Sequence, residues 1–171
     1  MSLEIETQAD TVLLSGSLNE CCNLEHFDGL VFNVHQQTKC HRVNLDFSNV
    51  KHANSCGLAR WVAVAYNFSV PVAYVNAPIW LVEQFNILNE LFKTDVIVRS
   101  FFANFYCPEL DHNKTILLTV GKEIPLLPDY EKFEITLSID GEDFEPDFEA
   151  ESLLFFLAMF LYPARERYGP V

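Results

Sequence analysis

A chain of 171 residues with 24 acidic and 11 basic side chains has a net charge of −13. It lacks the basic footprint that nucleic acid requires, and an anionic membrane surface is disfavoured for the same reason. Half of the residues are hydrophobic and 13% are aromatic, enough to core one ordinary domain or a domain with an appendage. Cys21, Cys22, Cys40, Cys56 and Cys107 are odd in number and scattered. They define no disulfide framework, and a reducing cytoplasm is the natural compartment. Met1–Asp10 has neither the basic nor the apolar part of a signal peptide. The apolar run Leu153–Tyr162 is ten residues, too short to span a bilayer.

In chain order, Leu3–Thr7 and Thr11–Ser15 read as two short strands about a turn at Gln8–Asp10. Leu24, Phe27, Leu30, Val31 and Val34 recur at helical spacing, which predicts a helix over 24–37. A central strand follows over 42–47, where Val43, Leu45 and Phe47 alternate. The spacing then predicts a helix from Ser55 to about Asn67, with Leu58, Trp61, Val62, Ala65 and Tyr66 available for its inner face. Residues 70–76 form an apolar strand. Pro78 fits the first turn of a third helix running to about Phe92. A further strand is expected over 95–101. Strands alternating with helices in this way make a layered α/β fold.

Beyond residue 106 the texture changes, with 14 acids to 5 bases. Strands are expected over 115–120 and 133–139, separated by a loop at Pro125–Pro128. Gly121-Lys122 and Asp140-Gly141 supply turns. The acidic run Asp140–Asp147 lacks the glycine and spacing of a calcium loop and reads as a solvated turn. Residues 150–161 suggest a short apolar helix.

The chemistry-bearing stretch is Asp46-Phe47-Ser48-Asn49-Val50 followed by Asn54-Ser55-Cys56-Gly57-Leu58. Asn54 is a good N-cap, because its side chain can accept from an amide of the first helical turn. Ser55, Cys56 and Gly57 then stand where those amides and the positive end of the helix dipole are open. These segments, with Gly16-Ser17-Leu18-Asn19 upstream, resemble the STAS domain signature of anti-sigma factor antagonists: Asp-Leu-Ser-Gly-Val, then Asp-Ser-Ser/Thr-Gly-Leu, with Gly-x-Leu-Asp on the second strand. The resemblance covers about residues 3–105. It implies a mixed β-sheet with helices mainly on one face over 1–105, and a small β-rich acidic extension over 106–171.

The resemblance also implies a function. This chain then reads as a cytoplasmic, non-enzymatic STAS domain, and members of the family act as anti-sigma factor antagonists or related signalling adaptors. They dock the loop and helix at this turn onto an ATPase-type protein partner, often a switch kinase that holds a sigma factor. Carried onto this chain, the partner-binding surface is Asn19, Asn54, Ser55, Cys56, Gly57, Leu58 and exposed residues such as Arg60. The family's phosphate acceptor is the second hydroxyl residue of the turn. Here that position is Cys56, and the two nearby acids are replaced by Asn19 and Asn54; Ser17 also replaces the usual Glu. Loss of the hydroxyl and of both carboxylates points to lost phospho-acceptor chemistry. Ser55 is the remaining acceptor. Two other readings stay open. One is a subunit of an ABC-type transport system. The other is a ligand or redox sensor, in which Cys56 at a helix N-terminus is a reactive thiol. A scaffold or homodimer built on the aromatic-rich tail is also compatible with the sequence.

Tyr106-Cys107-Pro108-Glu109-Leu110 resembles the opening of a zinc ribbon, Tyr-Cys-Pro-x-Cys, without its second cysteine, and no later pair follows. Cys107 and His112 supply at most two ligands, so a metal-free, ribbon-like hairpin is expected, with no cofactor. His26, His35, His41, His52 and His112 show no metal-ligand spacing. No nucleophile–base pattern, phosphate-binding glycine loop or paired-carboxylate motif suggests catalysis.

Overall fold

The computed structural model describes residues 3–87, 96–125 and 135–148. In chain order the elements are β1 (Glu4–Gln8), β2 (Thr11–Leu18), α1 (Phe27–Thr38), β3 (Val43–Ala53), α2 (Ser55–Ala65), β4 (Val72–Val75), β5 (Ala77–Pro78), α3 (Ile79–Ile87), β6 (Val96–Val98), β7 (Ser100–Cys107), β8 (His112–Thr119), β9 (Leu137–Ile139) and β10 (Glu142–Pro146). They form an α/β fold with two mixed sheets. The first has the order β1-β2-β3-β4-β6, with β1 antiparallel to β2 and the remaining pairs parallel. The second has the order β5-β7-β10-β9, with β8 paired to β7.

Alternation places Val12, Leu14, Leu18, Val43, Leu45 and Phe47 in the core. Phe27, Val31 and Val34 of α1 and Gly57, Trp61 and Ala65 of α2 close over them. Trp61 is the centre of this layer. Its ring lies 5.3 Å from Phe27 and 5.2 Å from Phe47. Its indole N–H donates to the hydroxyl of buried Tyr74 at 3.0 Å. Burying a side chain of this kind stabilises by roughly 1.5–3 kcal/mol, and the hydrogen bond removes the penalty of hiding two polar atoms. α1 and α2 therefore lie on one face of the first sheet.

Several expectations shift. α1 begins at Phe27, not Leu24, because 23–26 are folded into a turn: Asn23 Oδ1 accepts from the Glu25 amide, and the Leu24 carbonyl accepts from Phe27. Leu24 matches the helical spacing and is buried, but from the turn. The central strand does not end at Phe47. It continues to Ala53 through two irregularities opposite β2, between Leu13 and Ser15 and between Gly16 and Ser17. The first of these adds a residue to β3, which breaks the period of two and brings Val50 inward. α2 ends at Ala65, and Tyr66 is 44% exposed rather than on the inner face, which is the narrow stripe Gly57, Trp61, Ala65.

The strand expected over 95–101 divides at Arg99, where the chain passes from the first sheet to the second. The Arg99 amide donates to the Tyr74 carbonyl, and its carbonyl accepts from Val120. β7 then pairs with β8 from Ser100↔Thr119 to Cys107↔His112. The expected division at 105/106 falls inside β7, and residues on both sides of it share one core cluster. The acidic run is a correction: Glu142–Pro146 is a strand with Phe144 buried. Asp140 and Gly141 both take positive φ, 57° and 91°, as a two-residue I′ hairpin requires. The expected end of the third helix near Phe92, the loop to Pro128, the start of a strand at Phe133 and the helix over 150–161 lie outside the described residues. Among the described residues, no helix is long and apolar enough to cross a membrane.

Candidate functional site

The turn singled out in the sequence forms where the end of β2 meets the start of α2. Asn54 has extended backbone, and its Oδ1 accepts from the Gly57 amide at 2.8 Å. The Asn54 amide donates to the Leu18 carbonyl at 3.0 Å, tying the cap to β2. Gly57 is buried directly against that strand end. A Cβ placed on it would lie 2.2 Å from the Leu18 carbonyl carbon and oxygen and 2.3 Å from the Asn19 nitrogen. No side chain fits there, so glycine is dictated by backbone-to-backbone approach.

Asn19 and its neighbours make a second turn against the first. Asn19 Oδ1 accepts from the Cys21 amide at 2.9 Å, and the Asn19 carbonyl accepts from the Cys22 amide at 3.1 Å. The buried Cys22 thiol donates to the Ser17 carbonyl, with Sγ 3.1 Å from the oxygen, and accepts from the Asn19 amide at 3.2 Å. The Arg60 guanidinium, one helical turn beyond Cys56, donates to the Cys22 carbonyl at 3.3 Å. Asn54 Nδ2 donates to Glu20 Oε2 at 2.6 Å. That bond is the main reason the Glu20 carboxyl lies below its usual range, with Arg60's charge adding a smaller effect.

The structure thus brings the sequence-selected residues together and divides their roles. Ser55, Cys56 and Arg60 are exposed; Asn19, Asn54 and Leu58 are half-buried; Gly57 is buried. Gly57 is buried and shapes the turn. Glu20 is a participant the sequence reading missed. Its one signal was an acid directly after Asn19, visible only once Asn54 is placed beside it. The asparagine at position 54 now has a physical reason. It supplies both the cap acceptor and a donor to Glu20, which an aspartate could not.

Beside the turn, an open groove of about 650 Å³ runs between the 21–28 segment and α2, lined in part by Cys21, Glu25, Asp28, Arg60 and Asn67. On the outward side of α2, Ala59, Val62, Ala63 and Tyr66 line a shallow apolar depression. Continuous with Cys56 and Arg60 along one helix, they make a mixed apolar and polar surface. No described group there forms a nucleophile–base pair.

At the far end of the second sheet, Cys107 is buried, and its thiol faces Glu109 Oε2 at 3.6 Å. His112 is its cross-strand partner. The donor atoms of Cys107, Glu109 and Glu142 all lie within 4.8 Å of one another. Comparison with family models, with curated proteins and with solved structures gives no match for this chain.

Proposed function

We propose that this chain is a non-enzymatic, cytoplasmic signalling adaptor of the STAS type, which binds a protein partner through the Asn54–Gly57 turn and the outer face of α2. The observation that carries the reading is the fixed geometry of the turn. Gly57 packed on the Leu18 and Asn19 backbone, and Asn54 bonded to both Gly57 and Glu20, hold Ser55 and Cys56 outward without any described catalytic group beside them. A rigid, exposed turn flanked by apolar helix surface loses little conformational entropy when it docks.

The partner class comes from the sequence resemblance: an ATPase of the switch-kinase, anti-sigma type. Cys56 offers no hydroxyl for phosphorylation, so the interaction is constitutive or controlled elsewhere; Ser55 is exposed and is the one acceptor left in the turn. The test is affinity capture from the source cells with wild type and Cys56→Lys, after circular dichroism shows both folded. A kinase-like ATPase held by wild type and lost by the variant supports the reading. A transport ATPase moves the protein to the transport alternative. Capture that ignores the substitution removes the turn from the interface.

A further inference from the structure

We infer that the open edge of β8 is a dimer interface, where the strand pairs antiparallel with β8 of a second copy of this chain about a twofold axis at Thr115. This edge shares no residue with the Asn54–Gly57 turn, so the two surfaces are tested separately.

β8 pairs with β7 in unbroken register from Ser100↔Thr119 to Cys107↔His112, and its other edge has no strand partner among the described residues. The Val120 amide donates to the Arg99 carbonyl, toward the β7 side. Thr119 points the other way. Its amide donates to Glu123 Oε2 at 3.0 Å, and its carbonyl accepts from the Lys122 and Ile124 amides. The turn over 119–124 therefore closes one end of the edge. Alternation along the strand aims the N–H and C=O groups of Asn113, Thr115 and Leu117 outward as well. No hydrogen bond among the described residues satisfies them.

Sheets guard such edges by brevity, proline, bulges or charge. Among the described strands, β6 and β9 are three residues long and β5 is two. β1 sets exposed Glu4 and Glu6 along its edge. β8 has none of these devices: it is eight residues long, with no proline and no bulge. The chain has 24 acids, yet residues 112–122 contain none, so a second copy meets no carboxylate along this strand.

Symmetry selects a second copy over a foreign strand. Asn113, Thr115 and Leu117 are evenly placed about Thr115. Antiparallel pairing centred there sets Thr115 opposite Thr115, and Asn113 of each copy opposite Leu117 of the other. These are hydrogen-bonded pairs, so every free backbone group of the edge finds a partner. Lys114 falls opposite Ile116 of the other copy, and like charges do not meet directly. The added strand also covers apolar surface. Pro78, Phe102 and Leu117 lie side by side across β5, β7 and β8, and this strip stops at the open edge with Leu117 38% exposed. The same patch serves both copies, as a twofold contact requires.

The test is sedimentation equilibrium on the full chain, kept reduced so that no cysteine joins two copies. Wild type should be a reversible dimer. Thr115→Glu and Thr115→Lys each set like charges opposite one another at the axis and should weaken dimerisation by roughly tenfold, with circular dichroism showing both folded. An equimolar mixture of the two should restore a dimer, seen at the mixed mass by native mass spectrometry, because opposite charges then meet. Thr7→Glu, on the β1 edge, should leave the dimer unchanged. Should the charged variants fold poorly, Thr115→Pro decides: its amide faces away from β7, so the ring removes a donor only from the second copy. A monomeric wild type, which would leave the edge to another protein's strand, would overturn the proposal. So would a dimer that survives these substitutions, or one that both charges break and their mixture does not restore.

Discussion

Gly57 sits so close to Leu18 that a Cβ on it would stand 2.2 Å from the Leu18 carbonyl carbon. This contact joins the two sequence motifs, one at the end of β2 and one at the start of α2, into a single rigid turn. Gly57→Ala tests it. At an ordinary helical position, alanine stabilises by up to about 1 kcal/mol over glycine. Here overpacking against backbone outweighs that gain, for a net loss of about 1–3 kcal/mol. Urea denaturation measures the sign directly, and an unchanged or more stable variant would contradict the close approach.

Replacing Asn54 probes the cap and its second bond separately. Asn54→Ala removes the acceptor for the Gly57 amide and should cost about 1 kcal/mol, as N-cap losses do. Asn54→Asp keeps the acceptor but faces the Glu20 carboxylate with a second negative charge. Wild-type Glu20 is held below its usual range by the Asn54 amide, so its contribution is present above the ordinary carboxylate pKa and fades as pH falls through the lower folded value. In Asn54→Asp that carboxylate meets repulsion, its folded pKa rises, and acid relieves the strain. Stability curves from pH 7 to pH 3 should therefore fall less steeply for the aspartate variant than for wild type. Parallel curves would refute the role given to Glu20.

The Trp61–Tyr74 pair predicts a core effect. Tyr74→Phe leaves the buried indole N–H without its acceptor and should cost about 1–3 kcal/mol. Burial pushes the Tyr74 phenol up from its ordinary value, so that contribution is intact below about pH 10 and is lost at higher pH. In an ultraviolet titration of the six tyrosines, Tyr74 should stay un-ionised until the protein unfolds. Full ionisation of the native protein would contradict its burial.

Thiol accessibility tests the outward placement of the turn. Cys21 and Cys56 are exposed, Cys40 is half-buried, and Cys22 and Cys107 are buried. Native protein should label two thiols fast, a third more slowly and the others only on unfolding. Cys56→Ser should remove one of the fast pair. A fast phase that keeps its amplitude in this variant would place Cys56 inside.

Much of the first sheet was legible because its signals are local. Val43, Leu45 and Phe47 alternate, and Asn54 followed by small residues marks a helix start that the structure reproduces. The second sheet was legible only in part: the strands expected over 115–120 and 133–139 overlap β8 and β9, but the sheet's order could not be read because it is assembled from distant pieces. β5 is two residues long, β7 carries on from a strand that belongs to the first sheet, and β10 lies in an acidic run whose one buried residue is Phe144. The same distance hid Glu20 beside Asn54 and Glu142 beside Cys107. Tyr66 was misplaced for a different reason: it keeps helical backbone, and at about 100° per residue it stands well off the Gly57, Trp61, Ala65 stripe that the structure buries.

The most direct test of the docking claim uses Cys56 itself. A photoreactive maleimide is attached there in a Cys21→Ser background, and at an introduced Gln8→Cys on the β1 edge in a Cys21→Ser/Cys56→Ser background as the comparison. Both proteins are irradiated in lysate of the source cells, and the adducts are identified by mass spectrometry. The account predicts a cross-link from Cys56 to an ATPase-type protein and none to it from position 8. The same adducts from both positions, or none from Cys56, would contradict the turn as the partner-binding surface.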